Sequence, residues 1–399
     1  MQDYQAKPNF KDSEHFKTFW SKGNGKLLQE WSGAELSFKY WDKFAPYFYQ
    51  CDEVGDQVVK DVYFKSSFAE ATSTIRNYIE NGVDFNDPEI AESLKVLFKQ
   101  TENIPDWLDW NLIEKGSELC QIAGLNALII LRDYVLMGGY DYAYLNKPLI
   151  LTGALKKGAV KRLADTLNFW VNVTRKDALQ VHKKGYGFCI TTRLIHSYSR
   201  LMILEKTKNW DTKNWGLPIN SWDMMATYIG FSLMFLHGLQ KLEVQITDED
   251  EAGLFHLWKY IGYLIGIPND ILPNDKKEAT EFFYMWTATQ PASDEDSKHL
   301  AKSLLDENLE SPGLKYQFQR RNLRYLHVGL NWFLLDDETN KRLGIEEVKF
   351  PFAFAKFLKL KNRLFFRFAS REKQLQIGAS AQEKVLEDYL KTAPRNVHH

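Results

Sequence analysis

The chain has 399 residues, of which 44% are hydrophobic and 14% aromatic, enough for a large apolar core. Its 51 basic and 52 acidic residues nearly cancel, which argues against a nucleic-acid partner. Three widely spaced cysteines without a C-x-x-C pair argue against a disulfide framework or a cysteine zinc site, and favour a reducing, cytoplasmic location. The N-terminus lacks an apolar leader and no apolar run reaches about 18 residues, so we expect neither a secretory signal nor a transmembrane span.

Helical periodicity dominates the chain and period-two alternation is scarce, which predicts an all-α fold. In chain order, helices are predicted over about 109–136, 157–181, 188–206, 221–244, 248–265, 312–334 and 372–392. Glycines 185 and 187 are expected to close the second helix, and Asn220 or Ser221 and then Thr247 are expected to cap the N-termini of the fourth and fifth. The simplest organisation is one all-α domain over 1–399 with a helical C-terminal extension over 300–399.

Several common enzyme classes are disfavoured because their motifs are missing from the sequence. There are no Glu-x-x-His pairs for a di-iron bundle, no H-E-x-x-H, no G-x-S-x-G elbow and no P-loop. The short Gly185-Tyr186-Gly187 segment lies between predicted helices, so it does not support a dinucleotide-binding fingerprint.

Histidines inside apolar helices are the remaining candidates for chemistry. His196 shares a helical face with Arg193 and Arg200, which forms a polar strip. This strip is compatible with an exposed or hydrogen-bonded histidine. The alternative is an imidazole that faces an internal cavity and binds iron while a neighbouring arginine holds a haem propionate. His237 and His256 lie in more apolar surroundings and are interpreted as hydrogen-bonded core residues.

A second group of polar residues lies on the preceding predicted helix. Arg162 and Thr166 are four residues apart and share a face, and Asp165 is spaced to pair with Arg162. In structural terms this is an ordinary surface salt bridge beside a threonine.

The most basic stretch of the chain, residues 356–371, mixes Phe and Leu with Lys and Arg. It is typical of a surface helix with one packed and one wet face. The alternative is a peripheral contact with an anionic membrane surface.

Several segments together resemble one known family. They are Arg162 to Thr166, RLIHSYSR at 193–200, WGLPIN at 215–220, Thr227, Phe231 and EAGLFHLWKYIGYLIGIPNDILP at 251–273, with Gly55-Asp56 and PDWLD at 105–109 upstream. In order and spacing they resemble the rubber-oxygenase and MpaB-type oxygenase catalytic domain over about residues 45–290. The resemblance implies a globin-like helical core, a b-type haem with its iron, and oxidation or cleavage of an olefinic substrate by dioxygen.

The resemblance also implies roles for individual residues. The family's proximal histidine follows an Arg-Leu-apolar pattern, which selects His196 as the iron ligand, with Arg193 and Arg200 expected at the cofactor. The distal pair matches Arg162 and Thr166, which are expected to offer hydrogen bonds to dioxygen.

At position 165 the sequence departs from the family pattern. Asp165 replaces a lysine of rubber-cleaving members, so their sixth-ligand arrangement does not carry over. A carboxylate there either acts on a proton or on bound water, or stays paired with Arg162. Polyisoprene is therefore disfavoured, and we expect a small or medium apolar alkene, such as a terpenoid. The alternatives are a non-catalytic haem or lipid carrier and a helical interaction protein without a cofactor.

Overall fold

The computed structural model describes residues 5–153, 158–207, 209–310, 313–348 and 352–392. Throughout these ranges the regular structure is helical and there is no β-strand; an isolated antiparallel bridge joins Tyr142 and Ala292. The predicted all-α fold is confirmed.

The first half of the chain contributes twelve labelled helices from the described residues. They are α1 (Glu14–Ser21), α2 (Asn24–Ser32), α3 (Trp41–Phe44), α4 (Glu53–Val58), α5 (Phe68–Asn81), α6 (Glu92–Glu102), α7 (Trp110–Ile122), α8 (Gly124–Ile130), α9 (Met137–Gly139), α10 (Ala143–Leu151), α11 (Ala159–Val173) and α12 (Lys184–Lys206). A 3₁₀ turn at Ala45–Tyr49 and π-helical turns at Val59–Tyr63 and Leu131–Leu136 link some of these helices.

The second half continues in the same manner. Its helices are α13 (Thr212–Trp215), α14 (Ser221–Ile229), α15 (Phe235–Lys241), α16 (Asp248–Leu264), α17 (Lys276–Thr287), α18 (Glu295–Glu307), α19 (Gln317–Leu334), α20 (Asp337–Arg342), α21 (Ala353–Phe368) and α22 (Arg371–Thr392). A π-helical turn at Gly230–Met234 joins α14 to α15, and 3₁₀ turns occur at Asn269–Ile271 and Asn308–Glu310.

The helix predicted over 109–136 is two helices. α7 and the segment Gly124–Gly139 meet at a bend of 88°. Gly124 has a φ of +54°, in the left-handed region that favours glycine, and a Cβ there would lie 3.2 Å from the Cα of Gly378. By length and composition this bent pair passes a test for a membrane span, whereas no single helix in the described ranges does.

The helix boundaries around α12 also differ from the sequence prediction. α11 ends at Val173, and Asp177 and His182 adopt φ values of 57° and 62° in the loop that follows. The two glycines expected to close a helix lie inside α12, where Gly185 packs against the carbonyl of Ala178. The predicted caps are confirmed in the second half of the chain. The side chains of Asn220 and Thr247 accept hydrogen bonds from the first turns of α14 and α16.

The core is built on a close crossing of α7 and α16. A Cβ added to Gly116 would lie 2.3 Å from the carbonyl oxygen of Gly253, so the two backbones touch where they cross. The last helix, α22, lies against α7, α8 and α11. Its buried Gln382 side chain donates to the carbonyls of Cys120 (2.8 Å) and Gly124 (3.2 Å) at the 88° bend. The C-terminal helix therefore stabilises the bend between the two central helices.

Candidate functional site

A cavity of about 830 Å³ lies between α8, α11, α12, α14 and α19. This is the size range of pockets that hold cofactors and small ligands. Two π-helical turns, Leu131–Leu136 and Gly230–Met234, pack against each other in the cavity wall. A Cβ on Gly230 would lie 2.9 Å from the side chain of Val135. Large apolar side chains dominate the lining, among them Leu163, Leu167, Trp170, Phe231, Met234 and Trp286.

His196 projects from α12 and lines this cavity. Burial, together with the nearby Arg200 cation, lowers the pKa of His196 to about 4, so the imidazole is neutral at pH 7. Its Nδ1 atom is buried without a hydrogen-bond partner among the described residues. A neutral imidazole that no protein group engages has a lone pair available to a metal.

Arg193 and Arg200 lie on the same face of α12 but are engaged by aspartates. Arg193 Nε and Nη2 donate to the two carboxylate oxygens of Asp52 at 2.6 and 2.7 Å. Arg200 Nη2 donates to Asp56 Oδ1 at 2.7 Å, and its Nη1 donates to the carbonyl of Ile219 at 2.7 Å. Both charges are thus balanced by carboxylates of the protein, while Arg193 Nη1 is buried without a hydrogen-bond partner among the described residues. The contact of these arginines with a haem propionate stays a prediction.

The three residues predicted on α11 separate in the structure. Thr166 lines the cavity. The side chain of Asp165 is 65% exposed and pairs with Lys161 Nζ at 3.0 Å, so the predicted pairing with Arg162 is wrong. The reason is that Lys161 is one helical turn away and shares the solvent-exposed side of α11 with Asp165. Arg162 instead donates to the hydroxyl of Tyr140, and its guanidinium lies 5.6 Å from the centre of that ring.

The two rival histidines have structural partners, as predicted. His237 Nδ1 lies 2.8 Å from the Tyr134 hydroxyl, and burial lowers the pKa of His237 to about 3. His256 Nε2 accepts a hydrogen bond from the backbone amide of Asp109 at 2.8 Å. Both imidazoles are thus used in holding helices together, in contrast to His196.

No role was predicted for four residues at or behind the cavity, although Asp56 belongs to the Gly55-Asp56 segment of the resemblance. Tyr140 and Asp223 line it, and Asp52 and Asp56 lie behind His196. The buried Asp223 carboxylate accepts from Trp286 Nε1 at 3.0 Å, and burial raises its pKa to about 6. The i, i+4 spacing of Asp52 and Asp56 is a usable signal, because it gives two carboxylates on one helical face. Tyr140 and Asp223 have no comparable pattern in the sequence.

Side chains that could ligate a metal are few around the cavity. In the described part of the chain, no group of three or more His, Cys, Asp or Glu residues is placed to hold a metal ion. A haem iron takes four ligands from its porphyrin and needs one protein ligand on the proximal side. His196 is the candidate for that position.

Comparison with known proteins identifies the fold and the family. The family model described as "ER-bound oxygenase mpaB/B'/Rubber oxygenase, catalytic domain" matches residues 128–360. The family inferred from the sequence is confirmed, but the bounds differ: the match begins at residue 128 and not near 45, and it extends to residue 360 and not 290. A solved structure of latex clearing protein in the closed state is similar with a TM-score of 0.68 at 15% identity, over 86% of this chain and 91% of that one. A search of curated proteins found no match.

Proposed function

We propose that this chain, which belongs to the mpaB/B' and rubber oxygenase catalytic-domain family and is therefore an oxygenase, binds haem b through His196. In this proposal it oxidises a small or medium apolar alkene with dioxygen. The observation that carries this proposal is the placement of one neutral, unpartnered imidazole on the wall of an apolar cavity of about 830 Å³. A terpenoid-like substrate suits the aromatic and aliphatic lining.

The residues around the cavity fit this cofactor. The cavity is wide and mostly apolar, as a macrocycle requires, and the His196 imidazole is in the protonation state that ligates iron. His327 lines the same cavity, but its Nδ1 lies 2.5 Å from a carboxylate oxygen of Asp133. When bound, the haem supplies the activation of dioxygen, which side chains alone do not provide.

The ion pairs behind His196 fix the position of the imidazole. Asp52 and Asp56 belong to the segment around α4, and they clamp Arg193 and Arg200, which lie three residues before and four after His196. Because both pairs are largely buried, rotation of α12 would separate charges in a medium of low dielectric constant. These two ion pairs therefore keep the face of α12 that carries His196 directed towards the cavity.

Thr166 and the Arg162–Tyr140 pair supply the polar groups on the α11 side. Thr166 lines the cavity, and the Tyr140 hydroxyl accepts from Arg162 and is therefore free to donate its proton. We assign these hydroxyls to orienting dioxygen or the product by hydrogen bonding. The apolar walls exclude water from the same space.

Spectroscopy and an oxygen-consumption assay test the proposal. Protein expressed with haem supply should show an intense Soret band and consume dioxygen in the presence of an alkene panel, with oxygen incorporated into the product. A Soret band without alkene-dependent consumption would indicate a haem carrier. Absence of haem from correctly folded protein would contradict the proposal and favour a lipid carrier or an interaction protein.

A further inference from the structure

Helix α21 presents large apolar side chains to the outside. Phe357, Leu360, Leu364 and Phe368 are 60, 55, 49 and 77% exposed. Their spacing of three, four and four residues places them in one line along the helix, which we call the apolar stripe. The stripe lies opposite the face that packs against the protein, formed by Ala355, Leu358, Asn362 and Phe366.

Cations flank the apolar stripe on both sides. At 100° per residue, Lys361 lies on one side, and Lys356, Arg363 and Arg367 lie on the other. α21 contains no acidic residue. Arg363 is partly neutralised by Glu243 at 2.7 Å, whereas in the described part of the chain Lys356, Lys361 and Arg367 form no ion pair. An exposed apolar line between two rows of positive charge is the pattern of a helix that lies in a membrane interface.

We propose that the apolar stripe and its flanking cations dock this protein on an anionic lipid surface. A helix of 16 residues is about 24 Å long, and it would lie in the plane of the interface with its apolar side chains among the acyl chains. The charge of the helix indicates whether a lipid surface or a second copy of the chain covers the stripe. A second copy of α21 would bring its own cations against these, whereas anionic headgroups neutralise both rows.

The same helix forms part of the cavity wall. Phe354, in its first turn, lines the cavity, as do Leu323 and Leu326 of α19, which packs on α21. Docking through the stripe therefore holds the cavity wall next to the phase in which an apolar alkene is dissolved. This link to substrate delivery rests on the proposed function, while the docking itself does not.

Vesicle co-sedimentation of the full chain tests the docking. The wild type should bind phosphatidylcholine vesicles containing about a third phosphatidylserine, and should bind pure phosphatidylcholine and high-salt samples more weakly. The triple variant Phe357→Ser, Leu364→Ser, Phe368→Ser should lose binding by about tenfold or more, since three apolar side chains no longer enter the acyl region. The charge variant Lys356→Glu, Lys361→Glu, Arg367→Glu should lose the preference for phosphatidylserine.

Ile104→Ser is the matched control, because Ile104 is 49% exposed outside α21, and it should bind vesicles like the wild type. Circular dichroism verifies the fold of each variant. Equal vesicle binding by the wild type and the stripe variant overturns the proposal, as does a wild-type dimer that the stripe variant abolishes in the absence of lipid. Turnover of an alkene in detergent should be unchanged in the stripe variant, so failure of docking and failure of the oxygenase assignment are distinguishable.

Discussion

Thr166 and Asp165 are neighbours on α11 whose side chains meet different surroundings. Both residues are exposed, but Thr166 lines the cavity, whereas Asp165 does not and is paired with Lys161. The departure from the lysine of rubber-cleaving members thus occurs at a side chain that lies outside the cavity. The polar groups left on this side of the cavity are the Thr166 hydroxyl and the Tyr140 hydroxyl that Arg162 contacts.

Substitutions at these two positions should therefore have unequal effects. Thr166→Val removes a hydroxyl from the cavity wall and should lower kcat by about a hundredfold, the usual loss for a single hydrogen-bond donor in an active site. Asp165→Asn should leave kcat within about twofold, because an exposed ion pair contributes little. Alkene-dependent oxygen consumption measures both variants. A loss of activity in Asp165→Asn that equals the loss in Thr166→Val would show that Asp165 enters the reaction.

Asp223 gives a pH-dependent prediction. Burial raises the pKa of this carboxyl from 3.8 to about 6 in the folded protein, so the unfolded chain ionises first as the pH rises. Below pH 4 the carboxyl is largely neutral in both states and changes the free energy of unfolding little. As the pH rises to about 6, ionisation stabilises the unfolded chain but not the folded protein, so the free energy of unfolding falls. Between pH 4 and pH 7 the Asp223→Asn variant should gain roughly 2 kcal/mol relative to the wild type. Urea unfolding of both apoproteins at the two pH values measures this, and a constant difference would contradict it.

Among individual residues, local sequence identified the ligand candidate but not its supports. His196 stands in a recognisable Arg-Leu-Ile-His pattern, and both flanking arginines were singled out. Their partners, Asp52 and Asp56, are more than 140 residues away in the sequence, and no local periodicity encodes such a pairing. A sequence does not distinguish an unpaired arginine from an ion-paired one, so it could not predict these two ion pairs.

At the scale of elements, periodicity predicted where helices occur better than where they bend or change to π-helical turns. α12 and α16 lie close to their predicted ranges because their apolar faces are local features. The helix predicted over 221–244 begins at Ser221 as expected, but α14 ends at Ile229, where a π-helical turn joins it to α15. The bend at Gly124 depends on the backbone of Gly378 packing against it, which is a tertiary contact. The π-helical turns add one residue to a turn without interrupting an apolar run, so the pattern does not reveal them.

The crossing of α7 and α16 is an element-scale test of the packing. Gly116→Ala would place a methyl group 2.3 Å from a backbone oxygen of Gly253, which cannot rotate away. We expect a loss of about 1–3 kcal/mol in the free energy of unfolding, the usual cost of overpacking. Gly139→Ala is the control, since its Cβ would meet no atom within 4 Å. Chemical denaturation compares the two, and equal stabilities would mean that the helices do not cross as closely as described.

At the scale of the whole molecule, the cavity is assembled from distant parts of the chain. His196 and Thr166 come from the middle, whereas Leu326, Leu330 and Phe354 come from the region assigned in the sequence to a helical extension. Periodicity reports which side of a helix is apolar but not which helix covers it, so this contribution was not predicted. The family match to residue 360 agrees with the inclusion of this region in the catalytic domain.

The haem content of His196→Ala, expressed with haem supply, is the most direct test of the central claim that His196 ligates the iron. The account predicts that this variant folds, as judged by circular dichroism, but loses the Soret band of the wild type. His256→Gln, in which the amide oxygen still accepts from the backbone of Asp109, should keep full haem content. Full haem content in His196→Ala, or its loss in His256→Gln alone, would contradict the account.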